Sequence, residues 1–234
     1  MKKDFIAGTE VIGTRVVGIS HDRKTGAVAA TYRQVGSTCP LSCAMLRKPD
    51  GSKGPCYALK GNVAIHQRRT GADYRDDLDK ARGMDLLRHL ISGDWFRTWG
   101  NGRRLDMDLI ETVIAWHKRN PRTLGWGYTH EFRAWDRAGM GPKSSTWPKN
   151  FVLLASCTTP EDREAANAAG WQTARVIEET DERGEGETLC PYDAAKHAQK
   201  GGEKSTPAIN CRNCRKCWEP DGQGLQRDIA FLKM

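Results

Sequence analysis

Eight cysteines in two separated groups constrain this chain of 234 residues more than any other feature of its sequence. The first group is formed by Cys39, Cys43 and Cys56, and the second by Cys190, Cys211, Cys214 and Cys217. Cys157 stands apart, and we expect it to be a small buried hydrophobic residue. The first residues include two lysines with no apolar stretch behind them, which predicts a chain without a secretory signal in a reducing cytoplasm. Clustered thiols in that compartment are metal ligands more often than disulfides.

The composition predicts a water-soluble domain with a basic surface. The chain carries 37 basic and 29 acidic side chains, so its net charge is +8. No apolar run approaches the roughly 20 residues that a membrane span needs. We therefore expect no membrane partner, and either a solvated basic surface or a polyanionic partner such as nucleic acid.

Basic clusters supply the candidate nucleic-acid contacts, which are Arg68, Arg69, Arg103, Arg104 and Arg133. Tryptophans are predicted at strand ends or in loops at Trp95, Trp99, Trp126, Trp135, Trp147 and Trp218. Aromatic rings among arginines can stack on nucleic-acid bases. They can equally fill a thin core, and both interpretations stay open at this point.

Hydrophobic patterns along the chain alternate between strands and helices. Strands are predicted at 27–35, 86–91, 124–129, 151–156, 172–177 and 228–232, and helices at 57–69, 74–83, 106–119 and 160–169. Such alternation favours an α/β fold with parallel strands. Because a full eight-fold barrel needs about 250 residues, we predict an incomplete (β/α) barrel of five or six parallel strands over residues 1–185. Residues 186–234 are predicted to be a C-terminal cysteine-rich metal-binding extension packed on that barrel.

The first cysteine group follows the first predicted strand. In parallel barrels the chemistry gathers where strands end. Three thiolates can hold a [4Fe–4S] cluster with one iron open to a non-protein ligand. Zinc with three protein ligands and a water is the rival, with His66 as a further possible ligand, and a purely structural metal site around residues 44–55 also stays open.

A strand, three cysteines in the next loop and then a helix together resemble the opening of the radical S-adenosylmethionine enzymes. Their usual spacing is Cys-x3-Cys-x2-Cys, whereas this chain has twelve residues between Cys43 and Cys56. The resemblance implies a [4Fe–4S] cluster on the three thiols, with S-adenosylmethionine bound to its open iron. Ser92-Gly93-Asp94 stands where that superfamily has a Gly-Gly-Glu type motif, and Ser156 stands where it has a ribose-binding serine. The resemblance thereby implies cofactor-binding roles for Asp94, Ser156 and Tyr57.

A second resemblance covers most of the chain. Thr38-Cys39-Pro40, Cys56-Tyr57-Ala58, Ser92-Gly93-Asp94, Tyr128-Thr129 and the late Cys-x2-Cys-x2-Cys are similar to a cysteine-rich phage protein family of unsettled activity. This resemblance implies a phage origin, and hence the cytoplasm of the host cell.

The spacing of the second cysteine group strongly indicates a metal site. Cys211, Cys214 and Cys217 with the distant Cys190 fit either a [4Fe–4S] cluster or a closed zinc site. Guanine transglycosylases, which are barrels with a C-terminal zinc site, have Cys-x-Cys-x2-Cys and a later His. This chain has two residues in the first interval and no His after Cys217.

These patterns predict a radical S-adenosylmethionine-like iron–sulfur enzyme that modifies a nucleic-acid base. Asp94 and His130 are the candidate catalytic residues, because both are predicted to follow strand ends and can move protons. One alternative is a zinc-containing, guanine transglycosylase-like enzyme that exchanges bases in DNA or RNA. The other is a non-catalytic phage protein that is held together by zinc and binds nucleic acid.

Overall fold

One mostly parallel β-sheet with helices on both faces organises the chain. The computed structural model describes residues 15–41, 43, 45–46, 50–52, 54, 56–70, 78–99, 102–141, 144–199, 207–219 and 228–232. The strands of this part are β1 (Arg15–Asp22), β2 (Gly26–Tyr32), β3 (Leu86–Arg88), β4 (Phe96–Trp99), β5 (Gly102–Leu105), β6 (Leu124–Thr129), β7 (Phe151–Cys157), β8 (Thr173–Ile177), β9 (Glu187–Leu189) and β10 (Asp228–Leu232). The helices are α1 (Gly61–Arg68), α2 (Met107–Arg119), α3 (Phe132–Arg137), α4 (Pro160–Ala168), α5 (Pro191–Ala198) and α6 (Cys211–Cys214), with 3-10 turns at Tyr57–Leu59 and Thr180–Glu182.

The main sheet has the strand order β1-β2-β3-β6-β7-β8-β10-β9. β1 is antiparallel to β2, and every other neighbouring pair is parallel. The predicted α/β class is therefore confirmed. The predicted number of five or six parallel strands is too low, because β9 adds a seventh to those that the sequence patterns indicated. β4 and β5 form a separate antiparallel hairpin.

The helices begin and end where local chemistry predicts. The Asp106 side chain caps α2 by accepting a hydrogen bond from the backbone N–H of Leu109 at 3.3 Å, and His117, Lys118 and Arg119 occupy its last turn. Thr159 caps α4 by accepting from the N–H of Asp162 at 3.2 Å, and Pro160 is its first residue. These boundaries match the predicted helices.

The two faces of the sheet are covered differently. Alternate strand residues such as Leu87 and Leu153 pack against α2, α3 and α4 in the largest apolar cluster. Their neighbours Leu86 and Leu154 point to the other face and belong to smaller clusters that include cysteines of the second group. Because a parallel sheet is normally covered on both faces, the described residues after 185 complete the core.

Several segments differ from the sequence prediction. β1, the β4–β5 hairpin and β9 lie outside the segments that were predicted to be strands. Of the helix predicted over 74–83, residues 74–77 lie outside the described residues, Leu78 and Asp79 are helical, and residues 80–83 form a turn. The residues beyond the predicted boundary at 185 supply β9 and β10 to the same sheet. In the part of the chain that the structure describes, no helix has the length and apolar content to cross a membrane.

A pair of buried histidines lies between the sheet and α2. The Nε2 atoms of His89 and His117 are 2.8 Å apart, and both residues are fully buried. The Phe151 ring stacks on His117 with a centroid distance of 5.1 Å. Gly125 is needed here, because a Cβ at that position would collide with the His117 ring. Burial lowers the pKa of His117 from its ordinary value of 6.5 to about 4, and burial together with the nearby His117 lowers the pKa of His89 well below its ordinary value.

We expect this pair to make stability fall in mild acid. Between pH 6.5 and about 4 the unfolded chain binds a proton at His117 that the folded chain does not, so unfolding becomes easier as the pH falls. The shift corresponds to roughly 3 kcal/mol of unfolding free energy across that window. Urea unfolding at several pH values would measure it, and a His89→Gln/His117→Gln double variant should show a flatter profile. Equal pH profiles for the two proteins would contradict the expectation.

Candidate functional site

The carboxyl ends of β2 and β3 bring the first candidate site together. These two strands are neighbours in the sheet. The backbone N–H of Arg33 donates to the carbonyl of Ser92 at 3.0 Å, and the Ser92 hydroxyl donates to the carbonyl of Arg33 at 2.8 Å. The N–H of Asp94 donates to the Thr38 hydroxyl at 3.3 Å. The segment after β3 is thereby fixed against the segment that leads into Cys39.

Gly93 makes this close approach possible. Its φ of +75° lies in the left-handed region, and a Cβ there would collide with the Thr38 hydroxyl and lie 2.9 Å from the Cβ of Arg33. The glycine of Ser92-Gly93-Asp94 is therefore required by packing as well as by backbone conformation.

The three thiols of the first group lie in one apolar cluster beside this segment. Cys39 and Cys43 are buried and Cys56 is half-buried, and they share the cluster with Val35 and Ala58. Each thiol lies within electrostatic range of the other two, and the Asp94 carboxylate lies within range of Cys39 and Cys43. Burial raises the pKa of Cys39 to about 12 and also raises that of Cys43. A bound cation is what would keep such thiols ionised at neutral pH.

Asp94 and His130 meet because they follow neighbouring parallel strands. Asp94 is only 2% exposed. Its Oδ2 accepts from the backbone N–H of His130 at 3.2 Å and lies 3.3 Å from the His130 Nδ1, while its Oδ1 accepts from the N–H of Trp95 at 2.7 Å. Burial lowers the pKa of His130, but the hydrogen bond to Asp94 and the charges of Asp94 and Glu131 outweigh it and raise the pKa. The two predicted catalytic residues therefore form a hydrogen-bonded pair.

The other predicted cofactor residues occupy different places. The Tyr57 hydroxyl donates to the carbonyl of Ile91 at 2.7 Å and lies within electrostatic range of Cys39, Cys56 and Asp94. Ser156 is paired with Ala174 and lies on the face of the sheet that packs against Cys190. The structure thus joins Tyr57 to the first thiol group and places Ser156 on the face that the second group covers.

The second thiol group lines one small cavity of about 20 Å³. Cys190 precedes α5, Cys211 and Cys214 are the ends of α6, and Cys217 follows in the next turn. A reciprocal pair of hydrogen bonds between Asn210 and Asn213 caps α6, and Arg215 turns the chain with a left-handed φ of 58°. The chain is therefore folded tightly around the four thiols.

Polar and charged side chains surround this second group. The Tyr128 hydroxyl donates a hydrogen bond to the Cys217 thiol. The cations of Lys24 and Arg88 lie within electrostatic range of Cys211. Burial nevertheless raises the pKa of Cys211 to about 11 and that of Cys217 to about 12. Beside the group, the Trp218 ring stacks on Trp126 with a centroid distance of 4.0 Å.

The predicted nucleic-acid contacts lie on or beside three separate elements, α1, β5 and α3. Arg68 is exposed at the end of α1, with Arg69 next to it. Arg103 and Arg104 lie on β5, and the Arg103 guanidinium donates to the carbonyl of Cys39 at 2.6 Å. Arg133 pairs with Asp162 at 3.0 Å on the helical side of the sheet. Most tryptophans fill the core instead of projecting from loops, and Trp99 is the exception, with 57% of its surface exposed.

Sequence reasoning missed Arg33 and Arg88, and it noted Tyr128 only as part of a motif. Arg33 is buried and bonds the carbonyl of Asp94, while Arg88 and Tyr128 stand beside the second thiol group. A basic residue at a strand end was the only available signal for Arg33 and Arg88. The lone Cys157 is buried, as predicted.

Within the described residues, no three His, Cys, Asp or Glu side chains converge closely enough to hold a metal ion. The cysteines of each group are gathered as unpaired thiols, and coordination would require their sulfur atoms to approach further. Comparisons with protein-family models, with curated proteins and with solved structures find no match to this chain.

The packing around Gly93 gives a prediction with a matched control. Gly93→Ala and Gly139→Ala both place a side chain at a left-handed φ, but nothing lies within 4 Å of a Cβ at Gly139. We expect Gly93→Ala to cost about 1–3 kcal/mol more than Gly139→Ala in urea unfolding, because only Gly93 is overpacked. Equal losses would show that Thr38 and Arg33 do not constrain this segment.

Proposed function

We propose that the protein is a radical S-adenosylmethionine-type iron–sulfur enzyme built on an incomplete (β/α) barrel. The observation that carries the proposal is the gathering of three thiols with the Asp94 carboxylate at the ends of β2 and β3. Ligands in open parallel sheets are generally bound outside the carboxyl ends of strands. A nucleic-acid base is the proposed substrate, and the net charge of +8 supports it.

The donor set fits the proposed cluster by its chemistry. Cys39, Cys43 and Cys56 would supply three thiolates, which leaves one iron of a [4Fe–4S] cluster for a ligand that is not a protein side chain. The apolar cluster that contains these thiols would limit the access of water. When bound and reduced by an external one-electron donor, the cofactor would supply a carbon radical that abstracts hydrogen from the substrate.

Asp94 and His130 have complementary roles in this proposal. The backbone N–H groups of Trp95 and His130 and the His130 Nδ1 orient the Asp94 carboxylate. Its Oδ1 can accept one more hydrogen bond, for example from an ammonium group of the cofactor. His130 is 34% exposed in its side chain and would hold or release a proton at its ring nitrogens toward the substrate side. Tyr57 would limit access beside Cys56.

The first test is the metal content and spectrum of protein purified without oxygen. We expect at least about four irons per chain, a broad band near roughly 400 nm that bleaches with dithionite, and reductive cleavage of S-adenosylmethionine. Cys39→Ser should remove the band and reduce cleavage at least about a hundredfold, since one cluster ligand is lost. Cys157→Ser is the matched control, because Cys157 is equally buried but lies outside both groups. A colourless protein that contains only zinc would refute the proposal and favour the transglycosylase-like or binding-protein alternatives.

For the second thiol group, we propose a single zinc ion in place of a second cluster. The observation that favours zinc is the size of the cavity, about 20 Å³, which is room for little more than one water-sized particle. Four thiols with no open position form the usual ligand set of a structural zinc. Such an ion would fasten the segment that carries Trp218 onto the face of the sheet that carries Trp126.

We expect Cys217→Ser to lower the zinc content from about one to near zero per chain. It should also lower the unfolding free energy by about 3 kcal/mol or more, because the metal contributes its binding energy to folding. Elemental analysis and urea unfolding measure these changes, and a red shift of tryptophan fluorescence would report loss of the Trp126–Trp218 stack. Full zinc retention in both Cys217→Ser and Cys214→Ser would contradict the assignment.

A further inference from the structure

The β4–β5 hairpin begins two residues after Asp94 and has two distinct faces. Phe96 and Leu105 lie opposite each other and are 5% and 7% exposed. Both side chains belong to the main apolar cluster, so this face of the hairpin packs against the core. Arg103 shares that face and bonds the backbone carbonyl of Cys39 at 2.6 Å. The hairpin is therefore held directly against the first thiol group.

The opposite face of the hairpin is exposed and carries Arg97, Trp99 and Arg104. The Arg104 guanidinium lies 3.5 Å from the centroid of the Trp99 ring, and the Arg97 guanidinium lies 5.6 Å from it. All eight tryptophans lie in described residues, and Trp99 is the only one that is exposed. We call Arg97, Trp99 and Arg104 the hairpin patch.

The patch has an electrostatic cost that an anion would remove. Arg97 and Arg104 are directly opposite each other across the two strands, and like charges in that position destabilise a hairpin. Asp108 at 2.7 Å and Asp106 at 3.8 Å compensate Arg97, whereas the Arg104 guanidinium packs on the Trp99 ring. Gly102 faces Trp99 across the strands, and a Cβ there would meet only the Trp99 carbonyl at 3.9 Å. The Arg104 guanidinium covers one face of the Trp99 ring, and the 57% exposure of the residue leaves ring surface that a flat ligand can contact.

We propose that the hairpin patch binds single-stranded nucleic acid, with Trp99 stacking on a base and the two guanidiniums contacting phosphates. An exposed indole between arginines suits unpaired bases, because every base offers a flat face and a nearby phosphate. Bases inside a duplex are already stacked and do not offer that face. The inference rests on the proposed function only in placing the bound base beside the site of Asp94 and Cys39.

The test is fluorescence anisotropy with labelled oligo(dT) and oligo(U) of about 20 nucleotides, with a duplex of equal length for comparison. Trp99→Ala should weaken single-strand binding about tenfold or more, whereas Trp99→Phe should stay within about threefold of the parent. Arg104→Gln should weaken binding and lower the salt dependence by about one phosphate contact. Arg82→Gln is the matched control, because Arg82 is an exposed arginine that pairs with Asp79 outside the hairpin.

Unchanged binding in Trp99→Ala, equal losses in Arg104→Gln and Arg82→Gln, or tighter binding of the duplex would each overturn the inference. The inference would also be overturned if the protein bound polyglutamate and no oligonucleotide, and if Trp99→Ala weakened that polyglutamate binding. Metal content and thermal unfolding of each variant identify misfolding, and the Trp99→Phe variant retains an aromatic ring if Trp99→Ala unfolds. Because binding is measured without cofactor cleavage, intact binding with no cleavage would refute the proposed function and leave this inference standing.

Discussion

The buried guanidinium of Arg33 is the interaction on which the candidate site depends. It is 2% exposed, donates to the carbonyls of Asp94 and Phe96 at 3.1 Å each, and pairs with Asp106 at 2.7 Å. A buried charge is tolerated only where charge and hydrogen bonds compensate it. One side chain therefore fixes the end of β2, the segment that carries Asp94 and the first turn of α2 relative to one another. The positions of the β4–β5 hairpin and of the first thiol group therefore depend on the contacts of Arg33.

The second constraint is the need to cover both faces of the sheet. The helices between β5 and β8 cover one face, where Leu87 and Leu153 point. The other face is covered partly by the segment that carries Trp218 and the second thiol group. Among the described residues 207–219, which carry Trp218 and three of the four thiols, α6 is the one helix and few side chains are apolar. A metal ion held by the four thiols would supply the stability that the packing of this segment lacks.

The parts of the fold that sequence could predict are those with a local signal. α2 has a capping aspartate, an apolar stripe and a basic last turn, and its predicted bounds differ from the structure by one residue. The β4–β5 hairpin has a turn signal in Gly100-Asn101 between its strands, but the strands have four residues each and their alternation gives no clear apolar face, so they were not predicted. β9 has three residues and depends on β10 for its place in the sheet. Its position was therefore set by contacts that no local pattern records.

The same distinction holds for the candidate site. Sequence could predict the two cysteine groups and the position of Asp94 at the end of a strand. Both follow from the spacing of residues along the chain. The hydrogen bond between Asp94 and His130 could not, because it depends on β3 and β6 being neighbours. The placement of Ser156 on the face toward Cys190 likewise depends on the register of β7 with β8.

Arg88 connects the two thiol groups electrostatically. It ends β3 beside Ala30 and Trp126, and its guanidinium lies 5.8 Å from the centroid of the Tyr128 ring. It is within electrostatic range of Tyr57, which adjoins the first group, and of Cys211 in the second. Two metal–thiolate groups of negative net charge would repel each other, and a cation between them reduces that repulsion. Arg88 is therefore a cation that adjoins the surroundings of both thiol groups and belongs to neither.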